Sequence, residues 1–291
     1  MAGPTSPSLI VAREARSVKR LIAALLAVLL SALIYLGNFS WWLDTQVIEP
    51  DAFAEATVSA LNEDSSRLAL GELIVQRLVE ELPLLIVLKA NLAGLFSELL
   101  ASPALEDVLA FVASEIHDRL VTGSDEAIVV NLVDYRDAIL EPIEAVAPQL
   151  AALVPQDWFT TVVVLEDGSL PDMSRQARWA GPVKYLSIIG ASLLALLLLR
   201  FVKRRGEGVA LVGMAFLLAG LATAVLVPGG KVPALARAQS LSVETIISNT
   251  YDQFTGYLKV SALILALVGA GLIAVGVARW VEVGEKDPTG A

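Results

Sequence analysis

The one side chain here that can exchange a proton near neutral pH without help is His117, the only histidine in 291 residues. It stands in Glu115-Ile116-His117-Asp118, beside the apolar stripe of a predicted helix. A metal or acid–base role asks for partners three or four residues away on the same face. Those positions hold Ala113, Ser114, Leu120 and Val121, so no local ligand set exists. A half-buried histidine bonded to backbone or carboxylate is the plainer reading, and pH sensing at His117 is the sharper one.

Acidic pairs are the next chemical feature: Glu63-Asp64, Glu80-Glu81, Glu106-Asp107, Asp125-Glu126 and Glu166-Asp167. None has the spacing of a calcium-binding loop, and several fall at predicted helix N-termini, where negative charge is favoured. Cysteine is absent, which removes disulfides, thiolate metal sites and a cysteine nucleophile. No glycine-rich phosphate loop, nucleophile elbow or HExxH zinc motif occurs, so neither cofactor nor metal is expected. Two carboxylates brought together by folding would leave a hydrolase open, but the sequence does not single out a pair.

The elements that must position these residues are dominated by four apolar runs: Leu21–Gly37, Tyr185–Val202, Val209–Val227 and Val260–Ala278. Arg200, at the end of the second, is their only ionisable Asp, Glu, Lys, Arg or His residue. Each is about long enough to cross a ~30 Å hydrocarbon layer at ~1.5 Å per residue. The hydrophobic content of 56% and mean hydropathy of +0.68 agree. Charge is unevenly placed. Residues 38–182 carry 24 Asp and Glu against 7 Lys and Arg, a net −17, and the rest of the chain is +7. An acidic surface of this kind repels nucleic acid.

Basic flanks give a direction. Arg13, Arg16, Lys19 and Arg20 precede the first run; Arg200, Lys203, Arg204 and Arg205 join the second and third; Arg279 and Lys286 follow the fourth. The positive-inside rule then predicts cytoplasmic segments at 1–20, 203–208 and 279–291, with 38–182 and a loop at 228–259 outside. Tyr35, Trp41, Trp42, Tyr185 and Trp280 fall at the headgroup levels this requires. The first run also resembles a signal peptide, but Asn38-Phe39-Ser40-Trp41-Trp42 offers no cleavage site, so an uncleaved anchor is expected. Asn38-Phe39-Ser40 matches the N-glycosylation pattern and reads as a chance match next to the membrane.

Small residues predict how the spans meet: Ala262, Ala266, Ala270, Ala274 and Ala278 in the fourth, with Gly269 and Gly276 adding further small surface, Ser187, Ala191 and Ala195 in the second, and Ala215, Ala219 and Thr223 in the third. The lack of ionisable groups at mid-depth argues against a transport path through one copy and leaves a pore shared by several copies open.

Between the first two spans, periodicity predicts helices over Asp51–Asn62, from Ser65 or Ser66, over Leu84–Leu100 and from Pro103, the last ending at Thr122-Gly123-Ser124-Asp125. Leu84, Leu85, Ile86, Val87 and Leu88 form an unbroken apolar run, read as buried helix or as a contact with membrane lipid. Ala127–Leu132 and Phe159–Leu165 read as strands flanking a helix capped by Asp134, with Tyr135, Ile139, Ile143, Val146 and Leu150 on one face and a kink or restart at Pro142, which predicts a parallel pair with a crossover. The fold class is therefore mainly α: a four-helix transmembrane anchor with an extracytoplasmic, mostly helical domain containing a minimal two-stranded sheet.

Leu99-Leu100-Ala101-Ser102-Pro103, the stretch His117-Asp118-Arg119-Leu120-Val121-Thr122-Gly123, the strand and Asp134 after it, and the early Leu43-Asp44-Thr45 together resemble a family of four-span integral membrane proteins common in actinobacteria. The resemblance implies a basic N-terminus, an extracytoplasmic helical domain and three following spans, the first two joined by a basic turn at Arg200–Arg205. It implies no activity and no site residues, and the strong acidity is a departure from it. The functional expectation is a non-enzymatic envelope scaffold that binds membrane lipid and a protein partner or a second copy, in a bacterial plasma membrane. The alternative is a lipid- or small-molecule-handling protein, such as a transporter accessory subunit.

Overall fold

The computed structural model describes residues 7–81, 83–124, 126, 128–130, 133–137, 140, 141, 144, 148, 152, 162–165, 172–202, 205–236 and 238–285. Among them are eight α-helices: α1 (Pro7–Trp42), α2 (Pro50–Leu61), α3 (Asp64–Glu81), α4 (Lys89–Leu100), α5 (Pro103–Thr122), α6 (Ser174–Phe201), α7 (Arg205–Leu235) and α8 (Leu241–Glu285). A π-helical turn, Leu43–Ile48, follows α1, and 3-10 turns occupy Pro83–Leu88 and Val133–Tyr135. Strands β1 (Ile128–Val130) and β2 (Val162–Leu165) pair. Four helical stretches, in α1, α6, α7 and α8, are long and apolar enough to cross a membrane.

The chain divides into two compact units. The first, the anchor, comprises Met1–Trp41, Ala180–Val227 and Tyr257–Ala291. Ala23, Ala27 and Leu30 of α1, Leu198 of α6, and Val212 and Ala215 of α7 form its buried cluster. Leucines elsewhere on these helices, such as Leu25, Leu193, Leu196 and Leu267, face outward. Lipid is as good a neighbour for them as another helix, so small residues set the contacts.

The closest contacts join α7 to α8. A Cβ on Gly206 would stand 2.6 Å from the Gly276 carbonyl oxygen, one on Gly213 2.7 Å from that of Gly269, and one on Gly220 2.7 Å from that of Ala262. The helices run antiparallel: seven residues forward on α7 match seven back on α8. This corrects the expected stripe on α8. Ala262 is buried and Ala266 partly so, but Ala270, Ala274 and Ala278 are exposed. A four-residue step advances about 40° round a helix, so five such alanines wind away from any neighbour. A seven-residue step drifts only about 20° and keeps one face. Ser187, Ala215, Ala219 and Thr223 are buried as the spacing predicted. Asn38 Nδ2 donates to Ser261 Oγ at 3.1 Å. The buried Lys184 ammonium lies 5.1 Å from the Trp41 ring centre and 4.8 Å from that of Tyr185.

The second unit, the lobe, comprises Trp42–Trp179 and Pro228–Gly256. Its core is Val75 and Leu78 of α3, Leu85 of the 3-10 turn, Leu92, Ala93 and Phe96 of α4, and Leu140. Gly71 lets α3 approach α4, since a Cβ there would lie 2.6 Å from the Ala93 carbonyl oxygen. Pro50 and Pro103 open α2 and α5 at their first turns, where a missing N–H costs nothing. Gly123 ends α5 at φ +74°, a left-handed conformation that glycine adopts freely.

Several expectations change. The expected loop at 228–259 is helix for most of its length, because α7 continues through Pro228 and Pro233 to Leu235 and α8 begins at Leu241. The helix predicted from Leu84 begins at Lys89, after the 3-10 turn. Ser65 and Ser66 lie inside α3 rather than before it, and their hydroxyls accept from Asn249 Nδ2 at 2.7 and 2.8 Å. The strands are antiparallel, with Ile128 opposite Leu165 and Val130 opposite Val162. Valine runs encode no direction, so alternation alone could not choose. Ile139, Pro142, Ile143, Val146 and Leu150, predicted for the intervening helix, lie outside the described residues.

Valine at Gly213 would force its side chain onto the α8 backbone, and overpacking of this kind costs about 1–3 kcal/mol. Gly213→Val should lower the thermal unfolding temperature of the detergent-solubilised protein. Gly271→Ala, where a Cβ meets nothing within 4 Å, should leave it unchanged.

Candidate functional site

His117 sits on the inner face of α5 and is 6% exposed. Its Nε2 lies 2.8 Å from the carbonyl oxygen of Ile48, the last residue of the π-helical turn. A carbonyl only accepts, so Nε2 carries the proton. The imidazole centre is 5.2 Å from the Phe53 ring of α2, which is 5.1 Å from the Phe254 ring of α8. Trp42 Nε1 donates to the Phe254 carbonyl at 2.7 Å. His117 thus fixes the chain entering the lobe against α5 and α2. The local geometry agrees with the plainer of its two readings.

An open groove of about 580 Å³ adjoins this contact, lined by Ile48, Val121, Thr122, Ser174, Ala177 and Arg178. One rim of it is the joint between α5 and α6. Met173 N donates to the Leu120 carbonyl at 3.0 Å, and Ser174 N donates to Asp172 Oδ1 at 2.8 Å. Hydrogen bonds from the Ser174 side chain and backbone, with Arg178 nearby, hold the Asp172 carboxyl below the usual carboxylate range. That carboxylate occupies the space a Cβ on Gly123 would need, 2.6 Å away.

Arg119, one turn before Gly123, holds the end of α5 through five hydrogen bonds. It donates from Nε and Nη2 to Glu115 Oε1 at 3.0 and 2.9 Å. From Nη1 it donates to Ser124 Oγ, the Glu126 carbonyl and Glu126 Oε2. These carboxylates, Glu115 foremost, hold its guanidinium above its ordinary value. The network closes the turn between α5 and β1.

The N-terminal part of α8 docks in the lobe through polar side chains. Ser242 Oγ donates to Glu72 Oε2 at 2.6 Å, Asn249 reaches Ser65 and Ser66, and Gln253 Nε2 donates to Ser59 Oγ at 3.1 Å. The spacing 242, 249, 253 keeps one face of the helix. Isolated hydroxyls and amides in a presumed loop gave no reason to expect this ladder from the sequence.

The apolar run divides. Leu85 is 1% exposed and belongs to the core, whereas Ile86 and Val87 are 63% and 87% exposed. Leu88 is partly buried against the core, and the Leu84 side chain lies outside the described residues. The five residues therefore do not form one lipid-facing surface, because a 3-10 turn spreads consecutive side chains round its axis. Of the acidic pairs, Asp64 pairs with Arg67, Glu80 with Arg77 and Glu126 with Arg119, while Glu106 and Asp107 are exposed. Among the described residues no group of three His, Asp or Glu side chains is placed to hold a metal ion.

Leu85→Ser should destabilise the lobe by about 2–5 kcal/mol, as large-to-small core changes do, while Val87→Ser leaves stability unchanged; denaturant unfolding distinguishes them. Asp172, with its carboxyl lowered on folding, contributes stability above the unfolded carboxylate range and loses it as pH falls through its folded value. Thermal scans from pH 6 to pH 3 should therefore show a smaller acid-dependent loss in Asp172→Asn than in the parent.

The chain matches no protein-family model, no curated protein and no solved structure.

Proposed function

We propose that this chain is a multi-pass protein of a bacterial plasma membrane, of the four-span actinobacterial kind, that acts as a non-enzymatic scaffold. In this reading both termini are cytoplasmic and residues 38–182 stand outside. The acidic lobe meets a protein partner whose contacting face is basic. The charge division carries the proposal: a net −17 over residues 38–182 against +7 elsewhere. Exposed carboxylates at Asp51, Glu55, Glu98, Glu106, Asp107 and Asp118 supply surface for such a partner. Opposite charge speeds encounter and selects against acidic competitors.

A second reading, a lipid- or small-molecule-handling protein, is favoured by Ile86 and Val87, two large apolar side chains left in solvent. It predicts lipid retained in native mass spectrometry and lost in Val87→Ser, the member of the run whose removal spares the core.

Affinity purification in mild detergent should recover a partner that dissociates as salt rises and is lost from a Glu106→Lys, Asp107→Lys variant. Recovery of a monodisperse monomer alone would count against the scaffold. Sidedness is tested separately in the cysteine-free background. An impermeant maleimide on intact cells should label Asp118→Cys and spare Arg205→Cys.

A further inference from the structure

Within the acidic lobe, Arg178 is a cation left over. Arg67, Arg77, Arg119 and Arg136 each pair with a carboxylate. Arg178 makes no salt bridge among the described residues. Its hydrogen bond there runs from Nε to the Ser174 carbonyl at 3.3 Å and leaves Nη1 and Nη2 uncommitted. α6 brings no carboxylate of its own, since neither Asp nor Glu occurs between Asp172 and Glu207. The Asp172 carboxylate lies near Arg178 but already accepts from Ser174 N at 2.8 Å and abuts Gly123.

Arg178 lines the groove of about 580 Å³ beside Ile48. Ile48, Val121 and Ala177 give that groove an apolar wall, and Thr122 and Ser174 add hydroxyl-bearing side chains. Its size is that of small-molecule sites in general. A planar guanidinium with two uncommitted amino groups matches a pair of phosphate oxygens. An apolar wall next to it suits a phosphate that carries a carbon chain better than a bare ion.

The sequence of α6 indicates the source of such a phosphate. Arg178 stands seven residues before Tyr185, the first residue of the apolar run, or about 10 Å along one continuous helix. Trp179 and Tyr185 are exposed, and such rings favour the headgroup level, where a long cationic side chain also reaches. The net −17 over residues 38–182 repels soluble polyanions at a distance, whereas a lipid arrives by diffusing in the membrane plane.

We infer that this groove binds the phosphate ester of an anionic membrane lipid, with Arg178 as the anion-binding residue and Ile48, Val121 and Ala177 against the ester's carbon chain. The inference rests on the chain crossing a membrane, and on neither the scaffold reading nor the exposed Ile86 and Val87.

Native mass spectrometry tests it on the full chain released from nanodiscs of equal phosphatidylglycerol and phosphatidylcholine. Phosphatidylglycerol should be retained over phosphatidylcholine by about tenfold, the effect of one charge-assisted contact. Arg178 is exposed, so Arg178→Gln should fold, and it should abolish the preference. Thr122→Trp keeps the guanidinium but fills the groove from its exposed edge, and should lower retention of the lipid. Arg175→Gln, outside the groove lining, should keep the preference, as should Val87→Ser, so this site and the other lipid reading fail separately. Equal retention of the two lipids, or an unaltered preference in Arg178→Gln, would overturn the inference. Saturable binding of glycerol phosphate to the protein in phosphatidylcholine nanodiscs would overturn it too, by assigning the groove to a soluble ester.

Discussion

In hydrocarbon, a leucine gains nothing by leaving lipid for a neighbouring helix, so association depends on how closely two backbones can approach. In the anchor this constraint is met by removing side chains. Gly206, Gly213 and Gly220 on α7 meet Gly276, Gly269 and Ala262 on α8 at distances that would bring a Cβ within 3 Å of a carbonyl oxygen. Close approach strengthens dispersion contacts along the whole seam. The outward leucines are free to contact lipid because the seam does not need them.

The lobe solves a different problem. It buries an ordinary apolar core between α3 and α4, yet α8 meets α2 and α3 largely through hydroxyls, amides and a carboxylate, with the Phe53–Phe254 ring contact beside them. Such contacts contribute about 1 kcal/mol each and depend on geometry, so they fix register more than they add stability. His117 belongs to this positioning set. Its proton is committed to the Ile48 carbonyl, and Phe53 covers its ring.

The parts legible in the sequence were those governed by composition or by helical period. The four apolar runs announced helices able to span a membrane, and Pro50, Pro103 and Gly123 marked ends that the structure keeps within a residue or two. Helix length beyond the apolar runs was not legible. Pro228-Gly229-Gly230 has the composition of a loop, and the hydrogen bonds that hold 241–256 in the lobe come from residues far away in sequence. Strand direction and the outer alanines of the α8 stripe were misjudged for one reason. Both depend on a partner's register, which a single strand or helix does not contain. The site around Arg119 and Asp172 was invisible because its members are ordinary polar residues until the turn at Gly123 gathers them.

The heptad seam between α7 and α8 has a consequence for how this chain can change over time. Point replacements on its lipid side cost little, but inserting or deleting one residue between Gly206 and Gly220 would swing every later glycine about 100° away from its opposite number. Divergent copies of this protein should therefore tolerate many altered letters on the lipid side of α7 and α8 and almost no altered length. Indels should collect in the connections, where no downstream register is at stake.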